Sequence, residues 1–335
     1  MGFFGGGSGG DGGTRVLEQT LLANTNVDSV NWAFNMLIEI GALGEALNNI
    51  ARLDNNELRD AGTLEEILAS PALTSIILTD PIIEEAIRNS TIIVPYIVSN
   101  SDVMTIAAEN AEMMNFLIRD ANVISVLLSG DTAMPIVLSS TVGMAVMTGS
   151  TTAMNAMFNN AVWRTASVNS SNAMTAIAAN TVSMNALLAN VTARDLVLGN
   201  PAAFSIMIAS QTAVSAMARN RGIMTEVNNN AVNRTAMEAS AAVSHVMNEL
   251  AVEVTSPNNN TTGTLQPGLC WVVSVRAAIN SDVARTTSYF GMLSGGVTTS
   301  SWSFMQVNRI ANDLAWSTSH FPQTGGRPSA RVVVF

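Results

Sequence analysis

Residues 151–190 read TTAMNAMFNN AVWRTASVNS SNAMTAIAAN TVSMNALLAN. Cut into tens, this run ends its blocks on Asn160, Ser170, Asn180 and Asn190, and Met154, Met174 and Met184 share the fourth place. The same register extends outward in both directions. From residue 61 to residue 250 the tenth place is Ser, Asn, Asp or Gly in eighteen of nineteen blocks, from Ser70 to Ser240, and only Leu250 departs. No insertion or deletion interrupts it. A globular enzyme has no reason to hold such a register, whereas a stacked array of identical units does.

Within a block, apolar residues prefer places 3, 4, 6, 7 and 8, as in Ala133, Met134, Ile136, Val137 and Leu138. Places 3/7 and 4/8 are i,i+4 pairs, the spacing of one helical face, and strict strand-like alternation is absent. Ala, Met and Leu favour helix. Ser, Asn, Asp and Gly suit the N-cap, and Pro71, Pro81 and Pro201 follow directly at a first helical position that tolerates proline. Pro95 and Pro135, at place 5, still fall near a first turn. Each decamer therefore reads as a helix of about two turns plus a short turn, roughly 12 Å long. A helix this short persists only if its neighbours bury it. The expected packing is a zigzag with two decamers per layer, which at roughly 10 Å per layer makes a rod on the order of 90–100 Å. The fold class expected is mainly α, a solenoid-like stack of short helices with a small C-terminal β-rich domain.

The remaining segments divide by composition. Residues 1–14 form a glycine-rich arm. Residues 15–60 carry an apolar helical stripe, with Trp32, Phe34, Leu37 and Ile38 as candidates for an anchor to a larger assembly or a cap on the array. The shaft spans 61–250, and 251–268 reads as a linker rich in turn formers. In 269–335 the period becomes two, with strands expected at Trp271–Val275, Tyr289–Leu293, Trp302–Val307 and Arg331–Phe335. So small a β-domain gains stability from trimer formation.

Composition narrows the function classes. The chain has 335 residues, 48% hydrophobic and only 12% charged, with a net charge of −10. Every one of its fifteen basic residues is Arg. The acidic balance argues against nucleic acid as a partner, because phosphate binding needs clustered cations. The most apolar run, Ile92–Val98, is too short to span a membrane. No secretory leader is read at Met1. One cysteine, Cys270, beside Trp271, excludes a disulfide framework and reads as a buried small hydrophobe.

No constellation for catalysis, metal or cofactor is expected. The Gly5–Gly13 run lacks the Lys-Ser/Thr ending of a phosphate loop. His245 reads as a structural or surface residue without an acidic neighbour one turn on, and His320 has no strained serine motif to serve. The pairs Glu65-Glu66 and Glu84-Glu85 read as solvated first-turn charges. The methionines at place 4 interchange with Ile124, Val214 and Phe204 and therefore read as core; Arg164, Arg194 and Arg234 take the same place, implying layers that face water or a partner. Trp302, Trp316, His320 and Phe321 are the candidates for contact with a receptor, a polysaccharide or another protein, since rings stack on sugar faces and anchor interfaces. Against this stands their reading as the core of a small sheet.

The blocks Thr151-Thr-Ala-Met-Asn-Ala-Met, Ser171-Asn-Ala-Met-Thr-Ala-Ile and Thr181-Val-Ser-Met-Asn-Ala-Leu resemble the Ser-x-Ala-Met-x-Ala-Ile/Val decamer of tailed-bacteriophage structural proteins, tail fibre and virion proteins among them. The resemblance covers about residues 100–250, and 61–100 more loosely. It implies a homo-oligomeric virion appendage, trimer favoured, attached to other virion proteins by its N-terminus with the β-rich part distal. It supplies no catalytic residue. Blocks beginning at Ala161 and Val191 depart from the pattern. Two other readings stand beside it. One is an internal connector or decoration protein, with Val332–Phe335 adding a strand to a partner's sheet; the other is a cytosolic α-solenoid scaffold.

Overall fold

The computed structural model describes residues 81–88, 93–256, 262–276, 288–291, 297–299, 305–318 and 327–335. The chain forms two compact units that divide between Ala173 and Met174. The first holds α1 (Pro81–Arg88), α2 (Ile93–Ser99), α3 (Ser101–Ala108), α4 (Ala111–Arg119), α5 (Ala121–Ser129), α6 (Ala133–Ser139), α7 (Thr141–Gly149), α8 (Thr151–Asn159) and α9 (Ala161–Asn169). The division falls within α10 (Ser171–Ala179). The second holds α11 (Thr181–Ala189), α12 (Val191–Gly199), α13 (Pro201–Ala209), α14 (Gln211–Ala218), α15 (Arg221–Asn229), α16 (Ala231–Ala239) and α17 (Ala241–Leu250). Among the described residues six strands follow: β1 (Val252–Thr255), β2 (Thr262–Arg276), β3 (Ser288–Gly291), β4 (Val297–Thr299), β5 (Met305–Thr318) and β6 (Ser329–Val334). The expected class is therefore the observed one.

Each decamer puts its helix at places 1–9, with the preceding tenth residue in extended conformation as the N-cap. Asn100, Asn110, Asn160, Asn200 and Asn230 each accept from the N–H groups two and three residues on. Ser140, Ser150, Ser210 and Ser240 accept from the third alone. Burial follows the same rhythm, with places 3, 4, 7 and 8 inside and places 1, 5 and 9 outside; place 6 is half-buried in most blocks. Met104, Met144, Met154, Met184 and Met224 are wholly enclosed, so the methionine row is core. Gly130 gives its helix no side-chain cap: the chain turns through Asp131 and Thr132, and α6 starts late, at Ala133. A Cβ on Gly130 would stand 2.6 Å from Val98 Cγ1, so there is no room for the usual serine.

The two-decamer zigzag does not hold. Within the first unit α5 packs on α2 and α8, α6 on α3 and α9, and α7 on α4. Within the second, α14 packs on α11 and α17, and α13 on α16. A helix thus meets its sequence neighbour and the helix three places away, which is a path of three helices and 30 residues per turn. The chain direction changes by 102° between α5 and α6 and by 97° between α13 and α14, whereas a hairpin would reverse it.

Hydrogen bonds mark the same period. Ser140 Oγ donates to the Ala108 carbonyl at 2.8 Å, Asn160 Nδ2 to Leu128 at 3.2 Å and Ser170 Oγ to Leu138 at 3.4 Å. In the second unit Ser210 Oγ donates to Ala178 at 2.6 Å and Ser240 Oγ to Ile208 at 2.5 Å. Every one of these bonds reaches back 32 residues, from place 10 to place 8 of the turn beneath.

The sheet is antiparallel in the order β1-β6-β2-β5-β3-β4. Within the expected linker 251–268, Val252–Thr255 is strand β1 and the residues from Thr262 on begin β2, while 257–261 lie outside the described residues. The strand expected at Arg331–Phe335 is β6, which lies between β1 and β2, β1 pairing with its residues Ser329–Val332. Long β2 and β5 bend through register shifts, with Gly268, Asn308 and Asp313 at positive φ. One side of the sheet encloses Cys270, Val272, Leu314, Trp316 and Val332. Trp271, Ile310 and Val333, paired across the ladder, are buried as well. Strands β2 and β6 lie against α17, and β5 lies against α16.

The tie between turns is testable at Ser210, which caps α14 and bonds Ala178. Ser210→Ala is expected to lower unfolding free energy by about 1–2 kcal/mol in urea, the loss of a cap and a net hydrogen bond. Ser210→Asp, which accepts but does not donate when ionised, should fall between alanine and the parent. Ser210→Asn, which does both, should stay closest to the parent.

Candidate functional site

Of the contact and anchor candidates singled out from the sequence, only Trp316 lies among the described residues. It is 3% exposed, in the sheet's enclosed side. Its indole edge fits over Gly263 of the neighbouring strand, where a Cβ would stand 3.0 Å from Nε1. A ring so placed holds the sheet together and offers no face to a sugar or a receptor; this corrects its reading as a contact residue. Trp302, His320 and Phe321 lie outside the described residues, as do Trp32, Phe34, Leu37, Ile38 and the Glu65-Glu66 pair.

Four other readings are settled by geometry. Glu84 is not solvated: it is 8% exposed and its carboxylate meets Arg88 at 2.8 Å and Arg119, one turn up the stack, at 2.6 Å. Glu85 beside it is exposed. His245 does have an acidic neighbour one turn on, since Glu249 Oε1 stands 3.4 Å from its Nε2, with both side chains largely in solvent. The place-4 arginines are half-buried and bond back to the chain itself. Arg164 Nη1 donates to the Phe158 carbonyl at 2.8 Å and Arg234 Nη1 to that of Asn228 at 2.7 Å. In both cases the guanidinium folds back on the C-terminal end of the preceding helix, where a cation opposes the negative pole. Arg194 meets Glu226 at 2.7 Å, again in the adjacent turn.

Chemistry-bearing groups are few. Among the described residues no three His, Cys, Asp or Glu side chains gather to hold a metal ion. Among the described residues, too, no single helix is long and apolar enough to cross a membrane. Cys270 is fully enclosed and unpaired. Desolvation by burial pushes its thiol up from 9.0 to about 12, with the nearby Asp313 charge adding to the rise and a backbone hydrogen bond at Leu314 opposing it.

The best-built polar junction joins the sheet to the last two helices. Asn308, held at φ 50 by a bulge of β5, donates from Nδ2 to Ser244 Oγ at 2.9 Å. Glu238 Oε1 accepts from the N–H of Ile310 at 3.0 Å. Arg331 spans Asn248, giving Nη1 to Oδ1 at 2.8 Å and Nη2 to the carbonyl at 3.0 Å. Sequence reasoning missed these residues, although one signal was present: place 8, apolar at Leu128, Leu138 and Ile208, turns polar at Asn228, Glu238 and Asn248. No protein-family model matches this chain, and no curated protein matches it either.

The enclosed thiol gives a pH prediction. Because Cys270 stays protonated in the folded chain well past the unfolded value of 9.0, the unfolded state loses its proton first. Stability is expected to be untouched by this group below pH 9.0 and to fall as pH rises towards about 12. Urea midpoints of the parent and Cys270→Ala should therefore diverge in slope only above that point. At neutral pH a thiol-specific dye should label the native chain far more slowly than the denatured one.

Proposed function

We propose that the chain is a structural, non-enzymatic protein of a tailed-bacteriophage particle, a fibre- or whisker-type appendage. In this reading it acts as a homo-oligomer, trimer favoured, and residues 1–60 hold it to other virion proteins. The C-terminal part then meets a host-surface polysaccharide, a receptor or a neighbouring protein. No cofactor enters, and the place of action is the virion.

One observation carries the reading. The solenoid commits the apolar places of its decamers to its own stack and many of its tenth residues to capping and tying helices. What such a chain gains per decamer is span, the property an appendage needs. The decamer's resemblance to phage structural repeats gives that span its setting.

The test is solution mass by light scattering on the full chain, paired with antibody labelling of intact phage particles by electron microscopy. The expected result is a mass three times the 35.2 kDa of one chain, with label on an appendage. Label confined to the particle interior would favour the connector reading. A monomer absent from particles would overturn both and leave the cytosolic scaffold.

A further inference from the structure

The bond between turns defines what an unfinished end of this solenoid lacks. Each tie runs from place 10 to the place-8 carbonyl 32 residues earlier, as from Ser240 to Ile208. By that rule the carbonyls of Asn228, Glu238 and Asn248 belong to donors on a turn that would follow Leu250, and no further decamer follows. A guanidinium from the sheet stands in at Asn248, which Arg331 of β6 serves; the Asn228 carbonyl is held by Arg234 through the same local fold-back that Arg164 makes to Phe158. The side chains at this end change together with the backbone partners. Glu238 and Asn248 replace apolar residues at place 8 and Ser244 replaces one at place 4, and these three receive the sheet. The apolar Trp271 and Ile310 are enclosed alongside them.

We propose that the C-terminal sheet is a stack terminator: it occupies the place of the next solenoid turn and keeps the end formed by α15–α17 closed to the decamers of a second copy. The second copy is the fitting occupant because the Asn248 carbonyl, which Arg331 of the sheet now holds, is at place 8, the acceptor that the tenth residue of a decamer turn is built to reach. An open end of a repeat array invites such addition, which is why arrays carry caps.

The test uses the full chain with Glu238→Ala and Arg331→Ala combined. Hydrogen exchange of amides in 241–250 is expected to quicken at least about tenfold while that of 151–159 stays as in the parent. The mass by light scattering should then rise with concentration above the parent's. Faster exchange without any gain in mass, or no change in either, would overturn the proposal. A second variant covers the case in which the first does not fold. Ser244→Cys with Asn308→Cys places two thiols at a present side-chain contact of 2.9 Å, so oxidation locks the sheet down. In mild urea the reduced form should self-associate at least about tenfold more than the oxidised form. Equal association would overturn the proposal.

Discussion

Much of the solenoid rests on side chains that do two jobs at the tenth place. A helix of nine residues is too short to hold itself in water, so each needs its first-turn N–H groups satisfied and a neighbour to lie on. Ser140 does both with one hydroxyl: it accepts from the N–H of Gly143 and donates to the carbonyl of Ala108. Asn160 divides the work between Oδ1, which caps α9, and Nδ2, which reaches Leu128. A short side chain with both a donor and an acceptor meets both needs, which explains the prevalence of Ser and Asn at the tenth place better than capping alone. Asp120 shows the limit: it caps α5 and has no proton to donate when ionised.

That dependence also explains which parts of the fold were legible. Helix starts, helix length and the methionine core are local consequences of the decamer, and the sequence states them at every repeat. The number of helices per turn is not local. Two or three decamers per layer bury the same places 3, 4, 7 and 8, and the choice lies in corner angles near 100° that no residue type announces. The arginines at place 4 misled for a related reason. A charge in an apolar row looks like a surface, but a long side chain can carry its head back to a helix end while its stem stays in the row.

At the C-terminal end the difficulty was of another kind. Turn formers between Val252 and Gly263 were read as a linker, yet β1 pairs with β6, some 75 residues away in sequence, and such a partner is invisible to composition. Trp316 was open to two readings because a tryptophan in a small sheet serves as core or contact with equal ease from sequence alone; its depth beside Gly263 decides for core. The candidate contact surface was therefore only partly legible. What the repeat did announce, through polar residues at place 8 in its last turn, was the point where stacking on itself gives way to stacking on a sheet.

The scarcity of charge follows from the stack itself. A position on one turn lies over its counterpart 30 residues on, at about the 8–10 Å of packed helices. Like charges repeated at that spacing repel by roughly 0.4 kcal/mol per pair even in water, and the cost recurs at every turn. A repeat can avoid it by staying neutral or by alternating sign between turns. This chain does both. Between residues 121 and 218 only Asp131, Arg164, Arg194 and Asp195 are charged. Two pairs of opposite charge meet across adjacent turns, Glu84 with Arg119 and Arg194 with Glu226. A neutral exterior of Ser, Thr, Asn and Ala is thus what a three-sided stack selects before any partner is considered, and an interface between copies need not be invoked to explain it.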